Sequence, residues 1–92
     1  SYKLTFYCPC ATCNGVAGAK TASGTTPTEG RTIAVDSSII PLGSRVYIEG
    51  YGVFIAEDTG GAIKNNKIDI FVSSHDRAYD LGVQNSAVYL LD

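Results

Sequence analysis

Three aspartates sit at or near the ends of short apolar runs in this 92-residue chain. Asp36 closes Ile33-Ala34-Val35-Asp36, Asp58 follows Val53-Phe54-Ile55-Ala56-Glu57, and Asp69 lies within Lys67-Ile68-Asp69-Ile70-Phe71. Runs of this length and type read as strands, so the chain must fold around β-structure. An isolated carboxylate beside buried β-structure is disfavoured by desolvation, and three at strand ends imply a cleft in which they are used. Like charges in such a cleft raise one another's pKa, and burial raises it further, so one of the three can stay protonated near neutral pH. The expectation is that Asp36, Asp58 and Asp69 line a single cleft and couple electrically.

A chain of 92 residues can support only one hydrophobic core, so residues 1–92 are expected to form a single domain. An apolar share of 45% against 17% charged residues fits a folded chain rather than a disordered one. No apolar stretch approaches the roughly 20 residues that a membrane helix needs, so membrane insertion is not expected. The formal net charge of -2, with seven scattered Lys and Arg, gives no basic patch for phosphate, so nucleic acid is not an expected partner. Ser1 follows neither an initiator Met nor a signal-like segment, and the chain therefore reads as a mature form or a domain excised from a larger parent.

Along the chain, Lys3-Leu4-Thr5-Phe6-Tyr7 alternates polar and apolar residues as a half-buried strand does. From Cys8 to Arg31 there is no sustained periodicity, and an ordered loop of that length is usually functional. It contains Thr21-Ala22-Ser23-Gly24-Thr25, a run of small residues whose hydroxyls suit sugar hydroxyls or, equally, a turn-rich crossover. Thr32 to Val35 is a second strand. Ser44 to Glu49 and Tyr51 to Glu57 form a hairpin about Gly50. Lys67 to Ser73 is a fifth strand, and Ser74 and Gly82 bracket a short helix. Ser86 to Leu91 is the sixth and last strand. Six short strands with one helix predict a small all-β barrel.

Cys8, Cys10 and Cys13 fall within six residues, an odd number that leaves at least one thiol outside any intrachain disulfide. They suit a brace for the N-terminal loop of a small secreted domain, through a local disulfide or through buried thiols. Zinc binding by three sulfurs lacks an evident fourth ligand, because His75, the sole histidine, is distant in sequence. A catalytic Cys–His pair lacks a third group to orient it. The cysteines are therefore expected to stabilise the loop rather than perform chemistry.

The aspartate spacings of 22 and 11 residues, with Asp58-Thr59-Gly60-Gly61-Ala62-Ile63-Lys64 around the second and Ile68-Asp69-Ile70-Phe71 around the third, form a pattern of their own. The chain resembles the 3D (three-aspartate) domain of bacterial cell-wall enzymes, a relative of the lytic transglycosylase A barrel, from about Thr21 to Leu90. The resemblance narrows the fold to a six-stranded double-psi β-barrel. It implies a peptidoglycan lytic transglycosylase that cleaves the β-1,4 bond between N-acetylmuramic acid and N-acetylglucosamine and leaves a 1,6-anhydro product. Asp69 then acts as acid and base, Asp58 supports it by hydrogen bonding and by keeping its pKa raised, and Asp36 shapes the electrostatics of the cleft. Thr21 and Ser23 match a family Thr-x-Ser-Gly stretch that can hydrogen-bond ligand. Gly60 and Gly61 allow close backbone approach to sugar, and Lys64 can meet a substrate carboxylate or acetamido group. Each also has a plainer role: Gly60-Gly61 as a turn, Lys64 as a solvated lysine, Asp36 as a turn cap. The resemblance implies no cofactor or metal, peptidoglycan strands as partner, a monomer as the isolated domain, and a cell-wall, extracellular or phage-tail setting.

Other readings compete. Asp58-Thr59-Gly60 is also an aspartic protease signature, but Ala56 and the charged Glu57 stand where such enzymes carry two aliphatic residues. A cation site built from the three aspartates lacks the dense acidic loop of calcium sites. A non-catalytic glycan-binding module on the same barrel is the stronger rival, with Tyr7, Tyr47, Tyr51, Tyr79 and Tyr89 offering flat faces for sugar stacking. An inverting glycoside hydrolase, with one aspartate as acid and another as base for water, is the third.

Overall fold

The computed structural model describes residues 1–8 and 20–91, and among these described residues the chain forms seven strands and one helix. In chain order these are β1 (Tyr2–Tyr7), β2 (Thr32–Ala34), β3 (Arg45–Ile48), β4 (Gly52–Asp58), β5 (Lys67–Phe71), α1 (His75–Leu81), β6 (Gln84–Ser86) and β7 (Val88–Leu90). The expectations placed on Cys10 and Cys13 lie outside the described residues.

All strands join one sheet in the order β6-β1-β5-β2-β4-β3-β7. Its two outermost strands are consecutive in the chain, so the segment 84–90 pairs with β1 at one end and β3 at the other and closes the sheet into a barrel. The expected sixth strand is therefore two strands separated by Ala87. At the break the Glu49 amide donates to the Ala87 carbonyl at 3.0 Å, and the Ser86 hydroxyl donates to the Glu49 carbonyl at 2.7 Å. Inside the sheet, β1·β5 and β2·β4 are parallel pairs flanking an antiparallel β2·β5 pair, an arrangement that fits the double-psi barrel.

Leu4, Ile33, Val35, Val46, Ile48, Ala56 and Ile68 are completely buried in the barrel interior, packed with Phe54 and Ile70. Burying each larger side chain contributes roughly 1.5–3 kcal/mol, and these contacts hold the strands in register. The β3–β4 hairpin turns through Gly50 at φ 88, a left-handed conformation in which a Cβ is strained. The helix starts and stops where its caps indicate: the Arg77 amide donates to Ser74 Oγ at 3.4 Å, and Gly82 follows the last turn. Glu29 ties the long loop to this helix through the Ser73 amide and hydroxyl, both at 2.8 Å, and through an ion pair with Arg77.

One irregularity decides the position of the site. Thr32 pairs with Ile55 and Ile33 with Ala56, but Ala34 pairs with Asp58, which leaves Glu57 as an extra residue in β4. Such a bulge re-aims the residues after it. Strict alternation from Phe54 and Ala56 would turn Asp58 into the core; with Glu57 inserted, it comes into register with the outward-facing Ala34. Glu57 itself is buried and accepts from Thr32 Oγ1 at 2.7 Å and Arg31 Nε at 3.1 Å. Burial opposes its ionisation, but Arg31 and Thr32 prevail and hold its pKa below the usual glutamate range.

Candidate active site

Ile68 and Ile70 point into the core, so Asp69 between them points outward, as Thr5 does between Leu4 and Phe6 on β1. Thr5 is in register with Asp69, and Ala34 is in register with both Asp69 and Asp58. The two aspartates therefore flank one small residue. Beneath them Tyr7, Ala34, Ile63 and Phe71 make a second buried cluster outside the barrel, with the Tyr7 and Phe71 rings edge to face at 5.3 Å. The space left above Ala34 is a cleft of about 220 Å³, bounded by Tyr7, Asp58, Asp69 and the loop from Thr59 to Ile63.

Each carboxylate is held by different donors. Asp69 Oδ1 accepts from the Thr5 hydroxyl at 3.0 Å. Asp58 Oδ1 accepts from the amides of Ala22 and Thr59, both at 2.9 Å, and its Oδ2 accepts from the Tyr7 hydroxyl at 3.4 Å. Burial raises the Asp69 pKa above the ordinary aspartate value; Thr5 and Lys67 oppose the shift, and Asp58 adds to it. Tyr7 is driven far above its ordinary value, first by burial and then by the charges of Asp58 and Asp69, so its hydroxyl remains a donor. The result is a carboxyl whose pKa is raised beside a second carboxyl fixed as a hydrogen-bond acceptor, two groups set apart by their surroundings.

Asp36 does not line this cleft. Its Oδ1 accepts from the Ser38 hydroxyl at 2.7 Å and the Ser38 amide at 3.0 Å, and its Oδ2 accepts from the Asn65 amide at 3.0 Å. These bonds lower its pKa to about 2, with help from the nearby charge of Lys64. Asp36 is thus a turn cap that also pins the far end of the loop whose near end Asp58 pins through Thr59. The expectation of three carboxylates in one cleft is corrected to two, because the polar groups of residues 38 and 65 engage the third.

Thr21 is buried, with its hydroxyl in a 2.7 Å contact with Thr25 Oγ1, and Ser23 joins the structure through its amide, which donates to the Glu57 carbonyl at 3.0 Å. Neither lines the cleft; their segment reaches it through the Ala22 amide. Lys64 is exposed beside Asp36 rather than in the cleft. Gly60 and Gly61 do border it, and a Cβ on Gly60 would meet Ile63 Cγ1 at 3.0 Å. Of the tyrosines expected to stack on sugar, Tyr7 lines the cleft, whereas Tyr47 and Tyr89 stack on each other at 6.0 Å. Sequence reasoning missed Thr5 and Ala34. Alternation in β1 turns Thr5 outward, but only strand pairing brings it to Asp69. Among the described residues, no three His, Cys, Asp or Glu side chains gather in a metal-holding group.

Comparison with known proteins gives this geometry a family. The cell wall-binding protein YocH of Bacillus subtilis is 56% identical over 62 residues, which make up 67% of this chain and 22% of that protein. The lytic transglycosylase LtgG of Burkholderia pseudomallei matches with a TM-score of 0.68 at 34% identity, over 79% of this chain and 26% of that one. MltA of Escherichia coli, also a lytic transglycosylase, matches with a TM-score of 0.67 at 25% identity, over 80% of this chain and 27% of that one. The chain spans 22%, 21% and 26% of the curated relatives it matches. The 3D domain family matches residues 31–92. With that match covering more than half of its length, the chain belongs to the 3D domain family.

Proposed function

We propose that this domain acts on cell-wall glycan as a lytic transglycosylase in which Asp69 is the single acid and base. The observation that carries the reading is the pairing of a half-buried Asp69, its pKa raised, with Asp58 across Ala34 in one cleft. Protonated Asp69 donates to the glycosidic oxygen between muramic acid and glucosamine units, and the bond from that oxygen to the muramoyl C1 breaks. The muramoyl 6-hydroxyl attacks C1 and returns its proton to Asp69, which closes the 1,6-anhydro ring without water. Asp58, fixed by Tyr7, Ala22 and Thr59, contributes negative charge that favours the protonated form of Asp69 and stabilises the positive charge developing at C1. Support also comes from LtgG and MltA, both lytic transglycosylases, although this chain corresponds to only 26% and 27% of their lengths.

A second reading has its own support: YocH is named a cell wall-binding protein. On that reading the cleft grips glycan while catalysis belongs to another domain. Both place the protein at the cell wall, with peptidoglycan strands as partner. Mass spectrometry of peptidoglycan incubated with the protein separates them. Anhydromuropeptides support the transglycosylase, new reducing ends a hydrolase, and sedimentation with the wall without products the binding module.

A further inference from the structure

The two oxygens of the Asp69 carboxyl are not equivalent. Oδ1 accepts from the Thr5 hydroxyl at 3.0 Å, a bond set by the in-register pairing of β1 with β5. Oδ2 has no hydrogen-bond partner among the described residues, and none of their buried side-chain oxygens or nitrogens lacks one, so Oδ2 is open to solvent where Asp69 lines the cleft. A hydroxyl and a carboxylic acid can pair in two ways. A proton on Oδ1 would point at Thr5 Oγ1, away from the cleft, and would leave the Thr5 hydrogen without an acceptor among these residues. With the proton on Oδ2, Thr5 donates to Oδ1 and the acidic hydrogen faces the cleft. The second arrangement alone serves both protonation states, because an ionised carboxylate can only accept.

We propose that Thr5 is a positioning residue for the acid and base: by donating to Oδ1 in both states, it confines proton release and capture to Oδ2. The inference rests on the transglycosylase reading and names the oxygen through which that chemistry runs. Oδ2 gives its proton to the glycosidic oxygen, the carboxylate so formed keeps its bond from Thr5, and Oδ2 then takes the proton of the 6-hydroxyl. Thr5 neither rotates nor loses a proton in this cycle. Its bond counts most in the ionised state, since a hydrogen bond to a charged acceptor is the stronger one. The other titratable groups facing Asp69 are Lys67 on its own strand, Asp58 on β4 and Tyr7 on β1; Lys67 favours ionisation, Asp58 opposes it, and Tyr7 stays protonated.

Neutron diffraction from deuterium-exchanged crystals, held at a pH below the Asp69 pKa, reads the proton directly. Deuterium on Oδ2, with the Thr5 deuterium directed at Oδ1, is expected; deuterium on Oδ1 directed at Thr5 Oγ1 would overturn the proposal. Two variants measure the consequence: Thr5→Val keeps the shape and the strand but removes the hydroxyl, and Thr5→Ser restores it. In Thr5→Val the Asp69 pKa, followed by carbon-13 NMR of its carboxyl, should rise, because the lost bond favoured the ionised form. Anhydromuropeptide release should fall roughly 10- to 100-fold, the worth of one hydrogen bond to a charged acceptor, and the alkaline limb of its pH profile should move to higher pH. Thr5→Ser should return the rate, the pKa and the limb toward those of the parent. A slower Thr5→Val with the Asp69 pKa and the limb unmoved would mean that Thr5 only supports the strand, and would overturn the proposal as well. The neutron map and the NMR titration need no turnover, so a parent protein that releases no anhydro product contradicts the transglycosylase reading while both still decide where the proton sits.

Discussion

Asp58 and Asp69 are in register with the same residue, Ala34, from opposite sides: β4 carries one in parallel pairing and β5 the other in antiparallel pairing. Two carboxylates separated by one small residue leave a gap above it, and that gap is the cleft. The size of residue 34 and the donors that hold each carboxylate therefore control the site.

Ala34→Val should test the gap. Valine suits a strand and keeps the β2 ladder, but two added methyl groups enter the cluster formed with Tyr7, Ile63 and Phe71. Overpacking of this kind costs about 1–3 kcal/mol, so the fold should survive while glycan binding and turnover fall sharply. Sedimentation with purified cell walls, read beside a thermal melt, checks both halves.

Tyr7→Phe removes the hydroxyl that donates to Asp58 Oδ2 and keeps the ring against Phe71. Loss of one such bond should lower stability by about 1 kcal/mol. The rate should fall by more than that stability change suggests, because Asp58 loses one of its fixed donors. Denaturant melts and product release on the same samples separate the effects.

Stability at low pH should report Asp36. Its folded pKa of about 2 lies below the ordinary aspartate value of 3.8, so its contribution is fully present above about pH 4 and is lost as pH falls toward 2. Glu29 and Glu57 are also shifted downward and titrate in the same direction, so the informative quantity is a difference. Asp36→Ala should be destabilised at pH 5, and its gap from the parent protein should close toward pH 2. A gap that stays constant across that range would mean that the hydrogen bonds from Ser38 and Asn65 do not depend on the charge.

Much of this fold is legible in sequence, because alternation in runs such as Lys3 to Tyr7 directly encodes which face is buried. Ser74 and Gly82 mark the helix ends by the same local logic. The site is less legible. The bulge at Glu57 overrides the alternation that would bury Asp58, and nothing in Ala56-Glu57-Asp58 announces it. Thr5 reaches Asp69 only through the β1·β5 register, and Cys8 reaches His75 only through the packing of α1 on β1. The three-aspartate pattern says nothing of a division of labour: Asp36 secures a loop while the other two face the cleft.

Asp69→Asn should make the folded protein more stable at neutral pH. A carboxyl whose pKa is raised on folding is favourable below its unfolded value and becomes a liability as pH rises through the folded one, and the amide removes that liability. The parent and variant melting temperatures should converge at acid pH and separate toward pH 7, with the variant higher.

The most direct test of the central claim is the rate of anhydromuropeptide release from peptidoglycan by the parent protein and by Asp69→Asn, measured by mass spectrometry at equal wall-bound protein. An amide can neither donate the proton to the glycosidic oxygen nor take one from the 6-hydroxyl, so a loss on the order of 10²–10⁴ is expected with wall binding retained. Anhydro products released undiminished by the variant, or no products from the parent protein, would contradict Asp69 as the acid and base of this domain.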